Sequence, residues 1–240
     1  QAFPISVDFA EISARAGREE VAKEMDRLRH EYSLRQEFIG IGIDRLDYTK
    51  GIPERLKAID LFLSKNPRYE GRFTFVQAAE SSRTHVEEYK KLNEEIDELV
   101  EQINWRYWRS RWKPILYIKE HFTPFTLSAL QRLANFCIVS SLHDGMNLVA
   151  KEFVSSRVDA DGVLILSRFT GAARELTDAL LVNPYSVDDI AKAIKVAVNM
   201  PKKERRRRMS SLRAIVQENN IYSWADSIIS EIAKFQFPEC

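Results

Sequence analysis

Six short apolar runs, separated by longer amphipathic stretches, restrict the fold of this chain more than any other feature. The runs are Phe38–Ile43, Phe73–Ala78, Ile115–Ile118, Phe136–Ser140, Val163–Leu166 and Leu180–Val182. Each is too short for an ordinary helix, and most are apolar nearly throughout, as a strand covered on both faces must be. Between them, Pro53–Ser64, Arg83–Ile103, Leu127–Ala134, Leu148–Ser156 and Val187–Val198 predict helices. Such alternation gives a parallel sheet wrapped by helices. Pro53 just inside its helix and Asn66-Pro67 just beyond it follow ordinary start and stop chemistry, and Ser186 ahead of Asp188 and Asp189 predicts an N-cap. The first dozen residues read as extended, 14–36 as a charged helix, and 201–218 and 222–235 as two closing helices. Residues 1–240 therefore read as one Rossmann-like α/β domain, with 1–36 an entering segment and helix and 201–240 C-terminal helices.

Composition narrows the function classes. With 45% hydrophobic residues, a sizeable core forms and disorder is excluded. Thirty-six Lys and Arg against 35 Asp and Glu leave a formal charge of +1, which argues against a whole-protein field for nucleic acid or anionic lipid. The two cysteines form no disulfide framework, and no Cys/His cluster has metal-ligand spacing, so a reducing, cytoplasmic setting is expected. No apolar run reaches the roughly 18 residues of a membrane span. The chain opens on Gln1 with no leader, which reads as a fragment or processed product.

Three segments carry candidate chemistry, each where a strand gives way to a turn. Gly40-Ile-Gly-Ile-Asp-Arg-Leu-Asp-Tyr-Thr-Lys-Gly51 leaves the first strand with Arg45 and Lys50 five residues apart. Two cations so placed suit a diphosphate, helped by the N-terminus of the Pro53 helix. A surface loop whose cations pair with Asp44 and Asp47 fits the same spacing. The third glycine of a dinucleotide fingerprint is missing, and no Walker-type Gly-Lys-Ser/Thr occurs. In Ser140-Ser-Leu-His-Asp-Gly-Met-Asn-Leu-Val-Ala-Lys-Glu152, backbone amides at the turn can hold an anion, Asp144 can face sugar hydroxyls, and Glu152 can take a ribose diol. An ordinary helix start, with Asp144 as cap and Glu152 solvated, fits equally. In Leu166-Ser-Arg-Phe-Thr-Gly-Ala-Ala-Arg-Glu-Leu176 the alanines suit close helix–strand packing.

Taken together, Asp44–Gly51, Asp144–Glu152 and Asn183-Pro184 resemble the carboxyl-terminal half of the trehalose-6-phosphate synthase family, from about Phe3 to the last helix. That family comprises retaining glycosyltransferases of GT-B type, with the active site between two Rossmann-like domains. The resemblance implies transfer of glucose from a nucleoside-diphosphate glucose such as UDP-glucose to glucose 6-phosphate, giving trehalose 6-phosphate, an osmolyte precursor. It implies that Arg45 and Lys50 grip the donor diphosphate, Phe122 lies by the nucleotide, and Asp144 contacts the transferred glucose. Met146, Asn147, Leu148 and Val149 would offer backbone groups to the donor, Glu152 would hold the ribose, and Arg83 would reach the acceptor phosphate. Neither a metal nor a further cofactor is implied. Where the family commonly has Arg before the aspartate, this chain has His143. That variant, with Ser167–Ala173, is also similar to glucosylglycerol-phosphate synthases, so glycerol 3-phosphate stays open as the acceptor. The amino-terminal acceptor domain is expected as a partner, and a binding module that turns nothing over in isolation is the alternative reading.

Five features read as structure. Trp105, Trp108 and Trp112 fall at helical spacing, which predicts one packed face in preference to a nucleic-acid stacking platform. Lys202–Arg208 predicts a solvated helix face, and Asp159-Ala-Asp161 a loop at the amino end of its strand. His85 and His121 have no partner at ligand spacing, and Cys137 reads as a small core residue.

Overall fold

The computed structural model describes residues 2–80, 87–108 and 112–234. Strands β1 (Phe38–Arg45), β2 (Phe73–Glu80), β3 (Ile115–Lys119), β4 (Phe136–Val139), β5 (Val163–Ser167) and β6 (Leu180–Val182) match the expected runs to within a residue or two. They form one sheet in the order β3-β2-β1-β4-β5-β6, and every paired strand is parallel. The helices are α1 (Phe9–Ala16), α2 (Glu19–Glu31), α3 (Ile52–Lys65), α4 (Glu87–Arg106), α5 (Pro124–Leu133), α6 (Leu148–Ser156), α7 (Val187–Asn199), α8 (Lys202–Glu218) and α9 (Ile221–Ile232). The Ser186 hydroxyl caps α7 as expected, accepting from the Asp189 amide.

Period-two alternation along the strands divides the interior into two cores. Ile41, Val76, Cys137, Val139, Leu164 and Leu166 pack with α1, α2, α5, α6 and α8. Phe73, Phe75, Phe136, Ile138, Val163 and Ile165 point the other way, against α3, α4 and α7. Burial pushes the Cys137 thiol up to about 12, so it is an inert core residue. Among the described residues no helix is long and apolar enough to cross a membrane.

Three expectations fail, the first being the single charged helix over 14–36: α1 ends at Ala16, Gly17 and Arg18 break the helix, and α2 runs only from Glu19 to Glu31. The opening dozen residues are not extended throughout. The Asp8 carboxylate accepts from the Glu11 amide and starts α1, whose Phe9, Ile12 and Ala16 are buried at helical spacing. The tryptophans do not share a packed face either. Helix α4 ends at Arg106; Trp112 is buried, while Trp105 and Trp108 stack on each other with more than half their surface in solvent.

Other structural readings are refined. The basic run is only partly solvated: Arg205 pairs with Asp161, Arg207 with Glu204 and Asp178, and Arg208 with Glu204. Asp159 is likewise held, by Arg157. His121 pairs with Glu80, and His85 lies outside the described residues.

Phe136 is fully buried in the second core, with its ring 5.9 Å from Phe73 and 6.5 Å from Phe75. Phe136→Ala should cost about 3–5 kcal/mol in urea unfolding. A loss below about 1 kcal/mol would mean that β4 repacks around the gap.

Candidate functional site

From β1 the chain crosses to β2 on one side, and from its neighbour β4 to β5 on the other. The loops leaving β1 and β4 thus part at the carboxyl edge of the sheet and open a crevice. A cavity of about 410 Å³ occupies it. Ile43, Ala78, Phe122 and Leu127 give apolar wall; Arg45, Lys50, Glu80, Asp144, Asn147 and Glu152 bring polar groups.

The first loop is shaped locally. Asp47 accepts from the Thr49 amide and hydroxyl (2.8 and 2.7 Å) and sets a single 3-10 turn over Tyr48–Lys50. Gly51 then adopts φ 62°, and a side chain there would strike the Ser140 carbonyl. The turn sends Lys50 across the crevice, where its ammonium donates to Asp144 Oδ2 at 2.7 Å. Neither acid of its own loop takes it, because Asp44 is bound by Arg55 and Asp47 by Thr49. Arg45 is exposed and makes no ion pair among the described residues.

The second loop carries Asp144, and the helix it leads into carries Glu152. Asp144 also accepts from the Met146 amide (3.3 Å) and the Asn147 side-chain amide (3.2 Å). The cap of α6 is Asn147, at φ 78°, whose Oδ1 accepts from the Ala150 amide. Asp144 is therefore no helix cap, and its carboxylate faces the cavity. Leu148 and Val149, the first residues of α6, line the cavity. The helix start presented to a ligand is thus that of α6; no residue of the Pro53 helix lines the wall. The third loop braces the second: Gly171 and Ala172 donate backbone amides to the Asp144 and Met146 carbonyls, and Ser167 Oγ donates to the Ser141 carbonyl at 2.6 Å.

Burial and charge split the two acids. Burial raises the Asp144 carboxyl, but the Lys50 ammonium and the two amides outweigh it and hold it below its ordinary value. Glu152 is raised by burial, against weak help from Arg15, and accepts no hydrogen bond from the described residues.

Arg45, Lys50, Phe122, Asp144, Met146, Asn147, Leu148, Val149 and Glu152 all line this one cavity. Arg83 lies outside the described residues. The sequence reading missed Ile43, Asp44, Ala78, Glu80 and Leu127 as wall residues. Glu80 was within reach of that reading, because it follows an apolar run at the carboxyl edge.

A carboxyl held low stabilises the fold above its unfolded value, and that contribution is lost as pH falls through the folded one. Lys50→Ala removes the ammonium and leaves the burial. The Asp144 titration followed by carbon NMR should therefore move up in this variant. An unmoved titration would show that the two amides alone hold the charge.

The profile of glycosyltransferase family 20 matches residues 1–234. The trehalose-6-phosphate synthase of Enterobacter sp. (strain 638) is 37% identical over 235 residues, 98% of this chain and 49% of that protein. The UDP-forming alpha,alpha-trehalose-phosphate synthase of Candida albicans is 35% identical over 97% of this chain and 48% of its own length. A solved structure described as trehalose-6-phosphate from E. coli bound with UDP-2-fluoro glucose superposes with a TM-score of 0.92 at 34% identity, over 98% of this chain and 52% of that one. The Burkholderia xenovorans alpha,alpha-trehalose-phosphate synthase (UDP-forming) in complex with glucose-6-phosphate gives 0.92 at 36%, over 97% and 50%. The chain spans about half the length of the curated relatives it matches. It belongs to glycosyltransferase family 20.

Proposed function

We propose that this chain is the donor-binding half of a UDP-forming trehalose-6-phosphate synthase, a retaining glucosyltransferase that passes glucose from UDP-glucose to glucose 6-phosphate. The observation that carries the reading is the meeting of Arg45, Lys50, Asp144 and the α6 N-terminus in one crevice. Two cations and a helix N-terminus suit a diphosphate, and a carboxylate beside them suits sugar hydroxyls. The relatives above are named for trehalose 6-phosphate, which favours glucose 6-phosphate over glycerol 3-phosphate as the acceptor.

In this reading Arg45 and Lys50 bind the diphosphate and stabilise the charge that grows on it as the glycosidic bond breaks. Asp144 exchanges the Lys50 ammonium for glucose hydroxyls and fixes the anomeric carbon. Phe122 lies against the nucleoside, and Glu152 receives the ribose diol. The acceptor hydroxyl attacks from the face the nucleotide leaves, and its proton passes to the departing phosphate. Arg83 and an amino-terminal half supply the acceptor's contacts. The protein's own cations hold the diphosphate, so donor binding proceeds without a resident metal ion.

Calorimetric titration of UDP tests the reading. Arg45→Ala and Lys50→Ala should each weaken binding by about 1.5–3 kcal/mol, a charge-assisted hydrogen bond, and the exposed Arg45→Ala should leave the thermal midpoint nearly unchanged. Affinity in EDTA should equal that in Mg²⁺. Parent affinity in both variants would return the first loop to an ordinary surface turn.

Glu152 gives a second test. A carboxyl raised by burial makes the fold less stable as pH climbs from its unfolded value through its folded one. Glu152→Gln should therefore raise the thermal midpoint at neutral pH while UDP affinity falls. A variant that loses stability, or keeps full affinity, would remove the ribose assignment.

A further inference from the structure

Arg55 sits on the apolar face of α3, between Ile52 and Leu56, and is fully buried. It is absent from the cavity wall. Its guanidinium is nevertheless shared among two strands and the loops that follow β1 and β4. Nη1 donates to Asp44 Oδ2 (2.5 Å) at the end of β1 and to Gln77 Oε1 (2.8 Å) on β2. Nε donates to Ser140 Oγ (2.9 Å), just past β4, and Nη2 reaches the Lys50 carbonyl (3.4 Å). Ser140 accepts from Arg55, so its one hydroxyl hydrogen is turned toward the Lys50 and Gly51 carbonyls, at 3.1 and 2.9 Å. Gly42 makes the room, because a side chain there would collide with this guanidinium.

We infer that Arg55 is a positioning residue for the diphosphate site: it pins the backbone of Lys50 to the ends of β1 and β4, so that the Lys50 ammonium meets Asp144 and, after it, the donor. The role in donor binding rests on the function proposed above; the placement of Lys50 does not. A buried ion pair adds little net stability over an apolar pair of the same volume, so stability alone does not account for a charge in this core. Geometry does. A planar fork of five donors can tie four acceptors at fixed angles, whereas the single ammonium of lysine cannot.

The test uses Arg55→Lys, which keeps the charge and loses the fork, and Ser140→Ala, which removes the hydroxyl bridge with a smaller volume change. Each is read by circular dichroism, by the Asp144 carbon titration and by UDP calorimetry on the 240-residue chain. With the fold retained, both should lift the Asp144 titration toward its position in Lys50→Ala. Arg55→Lys should weaken UDP binding by about 10- to 100-fold, the scale set by misplacing a contact by about 1 Å. In a Lys50→Ala background the same change should add less than about twofold, since the group it places is gone.

An Asp144 titration unmoved in both variants would overturn the inference. So would a loss of UDP affinity that recurs in full without Lys50. Should Arg55→Lys fail to fold, Ser140→Ala decides by the same titration. Should the parent bind no UDP, the donor reading falls, while the titration still decides whether Arg55 places Lys50.

Discussion

Every strand of this sheet runs the same way, and most of the molecule follows from that constraint. Parallel neighbours cannot be joined by tight turns, so each connection crosses a face and covers it with a helix. Both faces are then sealed, and the strands must be largely apolar on both sides, as Phe136–Val139 is throughout and Phe73–Ala79 is apart from the hydrogen-bonded Thr74 and Gln77. The chain's polar freedom is pushed to the strand ends. At the carboxyl edge the divergence between β1 and β4 leaves a crevice that no crossover fills. Arg45, Lys50, Asp144 and Glu152 lie there because it is the part of the fold where charged side chains meet neither core.

Charge in that crevice is arranged as an exchange. Lys50 and Asp144 satisfy one another, and each is spared the cost of facing a half-buried cavity alone. A diphosphate can draw the ammonium away only if something else satisfies the carboxylate. Hydroxyls of a sugar joined to that diphosphate would do so in the same event. A bare diphosphate must leave Asp144 to its two amides and water. In the donor reading proposed above, the pair would favour a ligand that carries both parts over one that carries the anion alone.

The sheet was legible in the sequence because double coverage writes itself as continuous apolar runs, and the strand ends then pointed to residues that line one cavity. Local capping was legible at Ser186 and missed at Asp8, where a Pro4-containing lead-in hid the start of α1. The tryptophans misled because spacing of three and four describes a helix face only while the helix continues, and α4 stops at Arg106. In the second loop Asp144 resembled a cap; Asn147 took that role because it tolerates the left-handed backbone at φ 78°. Arg55 was invisible for a different reason. A lone arginine on an apolar stripe looks like a solvated edge until Asp44, Gln77 and Ser140, far apart in sequence, are seen to converge on it.

The same distribution of burial tells apart what the fold needs from what a ligand needs. Asp44 and Arg55 are buried and mutually satisfied, so their charges belong to the architecture. Arg45, exposed and without an ion pair among the described residues, contributes little to stability, and Glu152 in its apolar surroundings detracts from it. Groups of this kind on opposite walls of one crevice, at the end of β1 and in the first turns of α6, mark it as the candidate site.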